Sequence, residues 1–335
     1  MKIALDAMGG DTAPETTVAG AVRAARELPV EIVLVGQQDA IESLLKGYPS
    51  RPSNITIVHA AESIGMHESP AAAVRKKRDS SINVGLELLK RGEVQAFISA
   101  GNTGAAVAAS TLTVGLLPGV ERPGIAIQLP GLKDDTVLID VGANITPKPL
   151  HMLQYAIMGE AYSRYVLGRA NPKVGLLNVG EEEGKGTDFI KETYELLQTG
   201  KFNFIGNVEG HDIFSGEVDV IVCDGFAGNV ALKTAESLAH AIGTILKRSL
   251  TRSFMTRLGA ALARDAFQEI RSELDYAERG GAPLLGVNGV SIIAHGASGA
   301  KAIKNAIRVA HETVRTELNR HMIEAVKASI PKPVV

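Results

Sequence analysis

The chain has 335 residues, 45% of them hydrophobic, with 35 Lys and Arg set against 37 Asp and Glu. That is enough apolar material for a large core, which excludes a disordered polymer, and a formal charge of −2 offers no overall footprint for nucleic acid. The single cysteine, Cys223, excludes a disulfide framework and any multi-cysteine metal centre, which fits a reducing, cytoplasmic compartment.

From the N-terminus, Asp6 interrupts the first apolar run before an export signal could form, so no targeting segment is expected. Short β-branched or aliphatic runs at 2–6, 31–35, 54–59, 94–98, 136–141, 173–179, 218–224 and 290–294 predict strands. Most are followed by a Gly/Asn/Ser-rich turn and then a helix-compatible stretch, the pattern of parallel strands with crossover helices. The turns are expected at 7–14, 99–104, 142–149, 180–186, 225–229 and 295–299. Residues 94–120 carry no charge, but Ser99, Asn102, Thr103, Ser110 and Thr111 interrupt them. A buried strand, a turn and an Ala-rich helix are expected there, and no membrane span. No Pro/Ser-rich or charged linker divides the chain, so 1–335 reads as a single α/β/α unit with two intertwined lobes. The last six residues, with two prolines, are expected to fray.

In open α/β sheets, ligands bind beyond the carboxyl ends of the strands, where helix N-termini offer unpaired N–H groups. Gly-x-x-Gly turns at Gly101/Gly104, Gly225/Gly228 and Gly296/Gly299 together point to an anion. Familiar phosphate loops do not match. Gly180 to Thr187 is one residue short of a Walker A loop, has Gly186 in place of the hydroxyl residue and carries three glutamates. No Gly-x-Gly-x-x-Gly follows a strand. His67-Glu68 and His311-Glu312 lack zincin spacing, and Gly296-Ala297-Ser298-Gly299 is no nucleophile elbow, so neither a metal nor a serine nucleophile is expected. Cys223 at the end of an apolar strand reads as a buried small residue. Lysine, asparagine, aspartate and one histidine remain at the turns. Lys185 and Lys233 are candidate anion ligands, or else solvated surface charges. His295, Asp6 and Asp11 are candidate orienting groups, or else caps.

Taken together, the turns resemble the bacterial phosphate acyltransferase family of the PlsX type. The matching stretches begin with Asp6-Ala7-Met8-Gly9-Gly10-Asp11, Ser99-Ala100-Gly101-Asn102-Thr103-Gly104, Asp140-Val141-Gly142-Ala143-Asn144 and Leu177 to Glu181 with Lys185-Gly186. They continue with Gly206 to Gly210, Cys223-Asp224-Gly225-Phe226-Ala227-Gly228-Asn229 and Gly280 to Gly286, ending at His295-Gly296. The resemblance implies a three-layer α/β/α sandwich like the isocitrate and isopropylmalate dehydrogenases and phosphotransacetylase, with two lobes, a homodimer and no cofactor. It also implies acyl transfer from acyl-acyl-carrier-protein to inorganic phosphate. Phosphate is its own nucleophile, so the protein has to position it and stabilise a tetrahedral oxyanion. Lys185, Lys233, Asn229 and His295 are then the expected catalytic residues. Asp6, Gly9, Gly10, Asp11, Gly101, Asn102, Thr103, Asn144, Gly186, Gly228, Gly296 and Ser298 are the expected substrate-binding positions, with backbone N–H groups near Asn102, Thr103, Gly228 and Asn229 as donors. A phosphotransacetylase-like enzyme using acyl-CoA and a non-catalytic membrane-associated scaffold remain the alternatives.

Two surface features bear on partners. Arg75-Lys76-Lys77-Arg78 ends an expected helix and suits either an acidic carrier protein or a solvated helix terminus. Leu246, Leu250, Phe254, Leu258 and Leu262 recur every four residues among basic side chains. Residues 236–278 are therefore expected to form a helical hairpin broken near Gly259, with 246–274 serving a dimer contact, a peripheral contact with the inner membrane face, or core.

Overall fold

A computed structural model describes residues 1–267 and 279–329. The elements run β1 (Lys2–Asp6), α1 (Glu15–Glu27), β2 (Glu31–Gly36), α2 (Gln38–Lys46), β3 (Ile55–His59), α3 (Pro70–Lys76), α4 (Ser81–Lys90), β4 (Ala96–Ser99) and α5 (Thr103–Ala109). After α5, which continues as a π-turn over Ser110–Val114, come β5 (Gly124–Leu129), β6 (Thr136–Ile139), α6 (Pro149–Tyr165), β7 (Lys173–Leu177), α7 (Asp188–Gln198), β8 (Asn203–Val208) and β9 (Val220–Val222). The chain continues through α8 (Gly225–Leu250), α9 (Phe254–Leu262), β10 (Ala282–Leu285), β11 (Val290–Ile293), α10 (Ala300–Arg315) and α11 (Leu318–Ser329).

The strands form one sheet in the order β3-β2-β1-β4-β11-β10-β5-β6-β9-β7-β8, with helices on both faces. Period-two alternation assigns the side chains to layers. Ile3 and Leu5 of β1 pack with α1 and α10, while Ala4 between them joins Phe97 and the Ile82/Leu86 face of α4. In the other half, Val137 and Ile139 meet α6 and α11, and Leu138 faces the opposite side with Ile221 and Cys223. This is the three-layer sandwich that the sequence pattern predicts.

The expectation of uniformly parallel strands does not hold. β10 is antiparallel to both β11 and β5, and β5 is antiparallel to β6. β1 to β4 and β11 therefore run one way, and β6, β9, β7 and β8 run the other. β5, β8 and β10 were not among the expected strands. Pro283 disguises β10, since proline has no N–H for a ladder, and Gly206 with Asn207 interrupts the apolar run of β8.

The 225–229 stretch is the first turn of α8 and not a connecting turn. Asp224 caps it, accepting from Phe226 N and Ala227 N at 2.9 Å. The expected break at Gly259 is also corrected. Gly259 lies inside α9, and the chain turns at 251–253, where Ser253 and Thr256 form a capping box. The five leucine and phenylalanine positions therefore belong to two helices, so the sequence ridge is not one helical face. Residues 268–278 of the expected hairpin, and 330–335 of the expected frayed tail, lie outside the described residues.

Candidate active site

At the end of β1, Asp6 is 1% exposed, and its carboxylate accepts from Ser99 Oγ at 2.7 Å and Met8 N at 3.1 Å. Burial pushes its pKa above the ordinary carboxylate value, against the opposing hydrogen bonds from Ser81, Ser99 and the backbone of Met8 and Gly9. A Cβ at Gly9 would sit 2.5 Å from Asp6 Oδ2 and 2.7 Å from Gly101 N, so only glycine lets these two turns touch. Asp11 N donates to Gly296 O at 2.8 Å, which joins the turn after β11 to the same group and leaves Gly10 against Gly296. The expected cap role of Asp11 is not observed, because Pro14 stands at the N-cap of α1 without a side-chain hydrogen bond.

Asn102 is 7% exposed and fully engaged. Its Oδ1 accepts from Ala105 N, and its Nδ2 donates to the carbonyls of Gly65, Met66 and Glu68. It positions the turn and fastens the 65–68 loop over it. The N–H groups of Asn102, Thr103 and Gly104 have no acceptor among the described residues. Ser298 is buried, with its N–H on His295 O at 2.9 Å.

The second half repeats the device with Asp140, at the end of β6. Its Oδ1 accepts from Ile125 N, Gly142 N and Ala143 N, and its Oδ2 from Asn144 N at 2.7 Å. Burial again raises the carboxyl pKa against those four donors. Asn144 spends its amide on Pro123 O and Tyr155 OH, both at 2.7 Å, and its carbonyl accepts from Gly225 N. It therefore places the start of α8 and has no amide hydrogen left for a ligand. A Cβ at Gly228 would lie 2.0 Å from Asp140 O, so glycine is required for α8 to lean on this strand end.

The N–H groups of this first turn are already used: Gly225 N on Asn144 O, Phe226 N and Ala227 N on Asp224, and Gly228 N on Asp224 O. The expectation that Gly228 supplies a backbone donor is thus corrected, because its N–H is spent on Asp224 O at 2.9 Å. The exposed Asn229 amide lies over Gly142, about 3.8 Å from where a Gly142 Cβ would stand, and makes no hydrogen bond among the described residues. Cys223 is 2% exposed, its thiol donates to Asp140 O, and burial raises its pKa well above the ordinary value, which rules out a ready thiolate.

The two groups of turns lie beyond strand ends that point opposite ways, and α8 connects them. Ala227, Ala231 and Leu232 pack on a cluster containing Leu138, Ile221, Leu284 and Ile293, which lays the helix across the central strands. Two turns along it, Lys233 Nζ lies 3.0 Å from His295 Nε2, with Glu236 Oε2 accepting at 2.8 Å. His295 Nδ1 is met by Ala297 N at 3.2 Å. A lysine from one half and a histidine from the other thus form a half-exposed polar pair.

Lys185 is not brought to this pair. It belongs to the 177–187 loop, where Asn178 Nδ2 donates to its carbonyl and its ammonium stands 3.9 Å from Glu182. Gly186 is wedged beside Asn178 and Ile190 in the same loop. Both of these Lys185 contacts stay within that loop. Nearby, Glu181, His211 and Asp212 hold ligand-type atoms within 4.8 Å of one another at the surface, and Asp212 Oδ2 is already accepting from Glu209 N.

Sequence reasoning missed Asp140, Ser99 and Glu236 as organising residues. An Asp two residues before glycine at a strand end is a turn signal that reveals Asp140. The i, i+3 spacing from Lys233 reveals Glu236. Ser99 becomes significant only when β1 and β4 are known to be neighbours. Ser99, a buried hydroxyl at 1% exposure, donates to the Asp6 carboxylate and serves to join two turns, while the arrangement offers cationic and amide donors at Lys233 and Asn229. It suits binding an anion and stabilising an oxyanion.

Comparison with known proteins agrees with this chemistry. The chain is 49% identical over 331 residues to the phosphate acyltransferase of Geotalea uraniireducens, covering 99% of this chain and 96% of that one. It is 53% identical over 335 residues to the phosphate acyltransferase of Heliobacterium modesticaldum, covering 100% and 99%. In fold it is similar to a phosphotransacetylase from Streptococcus pyogenes, with TM-score 0.64, 18% identity and 94% of each chain covered. It is also similar to 4-hydroxythreonine-4-phosphate dehydrogenase from Klebsiella pneumoniae, with TM-score 0.53, 13% identity and 92% and 99% coverage. With residues 1–321 matching the fatty acid synthesis protein family, the PlsX type of the sequence motifs, this chain belongs to that family.

Proposed function

We propose that the protein is a phosphate acyltransferase that converts acyl-acyl-carrier-protein and inorganic phosphate to acyl phosphate and free carrier protein, feeding phospholipid synthesis. The observation that carries this reading is the Lys233–His295 contact at 3.0 Å, which joins a lysine four residues beyond the 223–229 motif to the histidine of the 295–296 motif in the other half. A phosphate oxygen attacks the thioester carbonyl, a C–O bond forms, the C–S bond breaks, and the carrier thiolate leaves and takes up a proton. Lys233 and the Asn229 amide supply donors to phosphate or to the developing oxyanion, and His295 orients Lys233. Asp6, Asp140, Asn102 and Asn144 hold the turns, and Lys185 supplies a second cation from its own loop. Phosphate-dependent release of carrier thiol from a long-chain acyl donor tests the reading. Release only from short acyl-CoA would favour a phosphotransacetylase-like enzyme, and no release from any donor a scaffold.

Carrier docking falls to Arg75, Lys76 and Arg78. They are exposed at the end of α3, whereas Lys77 of the same run is spent on Glu68 Oε1 at 2.6 Å and Ser63 O at 2.8 Å. The outer part of α8 and α9 exposes Leu238, Ile242, Phe254, Met255 and Leu262, a surface suited to a homodimer or to peripheral attachment at the inner membrane face. No helix among the described residues is long and apolar enough to cross a membrane. A cytoplasmic setting, where the carrier protein and phosphate are both available, fits this reading.

A further inference from the structure

The first turns of α8 present an apolar strip that phosphate binding leaves unused. The helix packs inward through Ala227, Ala231 and Leu232. At about 100° per residue, Phe226, Val230 and Lys233 then share a stripe on another side of the helix, at spacings i, i+4 and i+7. Phe226 is 66% exposed and Val230 49%, and the stripe ends where Lys233 meets His295 at 3.0 Å. Gly225 N donates to Asn144 O at 2.8 Å, which ties the backbone just before Ile145 to the start of α8, and Ile145 is 65% exposed. The outer apolar residues are a different surface, since Leu238 is rotated by about 120° from Phe226 around the helix.

We infer that Phe226, Val230 and Ile145 seat the hydrocarbon chain of the acyl donor, with its thioester carbonyl at Lys233 and His295, and that they set the preference for chain length. This rests on the acyl-transfer reading above. The required substrate is an apolar chain ending in one polar reacting carbon, and the strip has the same order, three apolar side chains leading to a cationic donor. From Phe226 to Lys233 it extends about 10 Å along the axis, long enough to distinguish a long chain from a short one. A second copy of this chain is a poorer occupant. A stable interface buries about 800 Å² on each partner, and even a large aromatic side chain contributes only about 150–250 Å².

The test compares hexadecanoyl and butyryl thioesters of the carrier protein as donors, with oligomeric state followed by sedimentation. Phe226→Ala should lower the hexadecanoyl-to-butyryl ratio of kcat/KM about tenfold, the loss expected for one large apolar contact. Val230→Thr, which keeps the shape and adds a hydroxyl, should lower it in the same direction, and Phe226→Leu should restore most of it. An unchanged ratio in an enzyme that is active on both donors overturns the inference and leaves the acyl-transfer reading standing. A change of oligomeric state in Phe226→Ala assigns the strip to a second copy and also overturns it. Wild-type protein inactive on both donors ends the acyl-transfer reading, and this inference with it.

Discussion

Lys233 and Lys185 occupy comparable positions in the sequence, each close to a glycine turn after a strand, but the fold gives them different company. Lys233 is held between His295 and Glu236, and Lys185 stands among glutamates in a separate loop. Lys233→Ala is therefore expected to lower kcat/KM for phosphate about a hundredfold, the scale of one lost oxyanion donor, and Lys185→Ala by less. If both variants keep the wild-type value in a thiol-release assay, the assignment fails. Asp140 accepts from four backbone N–H groups, an arrangement an amide cannot copy without turning an NH₂ toward a donor. Asp140→Asn should cost about 1–3 kcal/mol in urea unfolding; an unchanged midpoint would contradict the geometry. The buried Asp6 has its pKa raised above 3.8, so across the window that starts there the folded protein keeps a proton that the unfolded chain has released. Its stability contribution is fully present below 3.8 and is lost as pH rises through the raised native value. Asp6→Asn should flatten the dependence of stability on pH in that window.

Among the elements, α8 does most to define the site. Asp224 and Gly228 were legible as a motif, but the sequence placed a turn where the helix already begins. Its cap and its leaning on Asp140 use the very N–H groups that a bare Gly-x-x-Gly pattern suggests are free. On α3 the run of four bases reads as uniform charge, whereas the fold removes Lys77 from it by pairing with Glu68, whose carboxyl that contact holds below its usual value. Reversing Arg75, Lys76 and Arg78 together to glutamate is predicted to raise KM for the acyl carrier protein most at low salt, and to spare an acyl-CoA donor. Equal effects on both donors would argue against docking there.

For the whole molecule, α8 and α9 carry exposed apolar faces at Leu238, Ile242, Phe254, Met255 and Leu262. Wild-type protein should float with anionic liposomes, and Phe254→Glu with Leu258→Glu should abolish flotation while sedimentation still reports the parental oligomer. Loss of the oligomer instead would make this face a subunit contact. Composition and local pattern by themselves determined the α/β class, eight of the strands and most of the glycine turns, because alternation, turn chemistry and capping act over a few neighbouring residues. The reversal of strand direction at β10 and β5 was decided only in three dimensions, since pairing partners far apart in the chain leave no periodicity to read. The meeting of Lys233 with His295 and the exposure of Phe226 and Val230 were likewise decided only by the path of α8 across the sheet, which no run of neighbouring residues encodes.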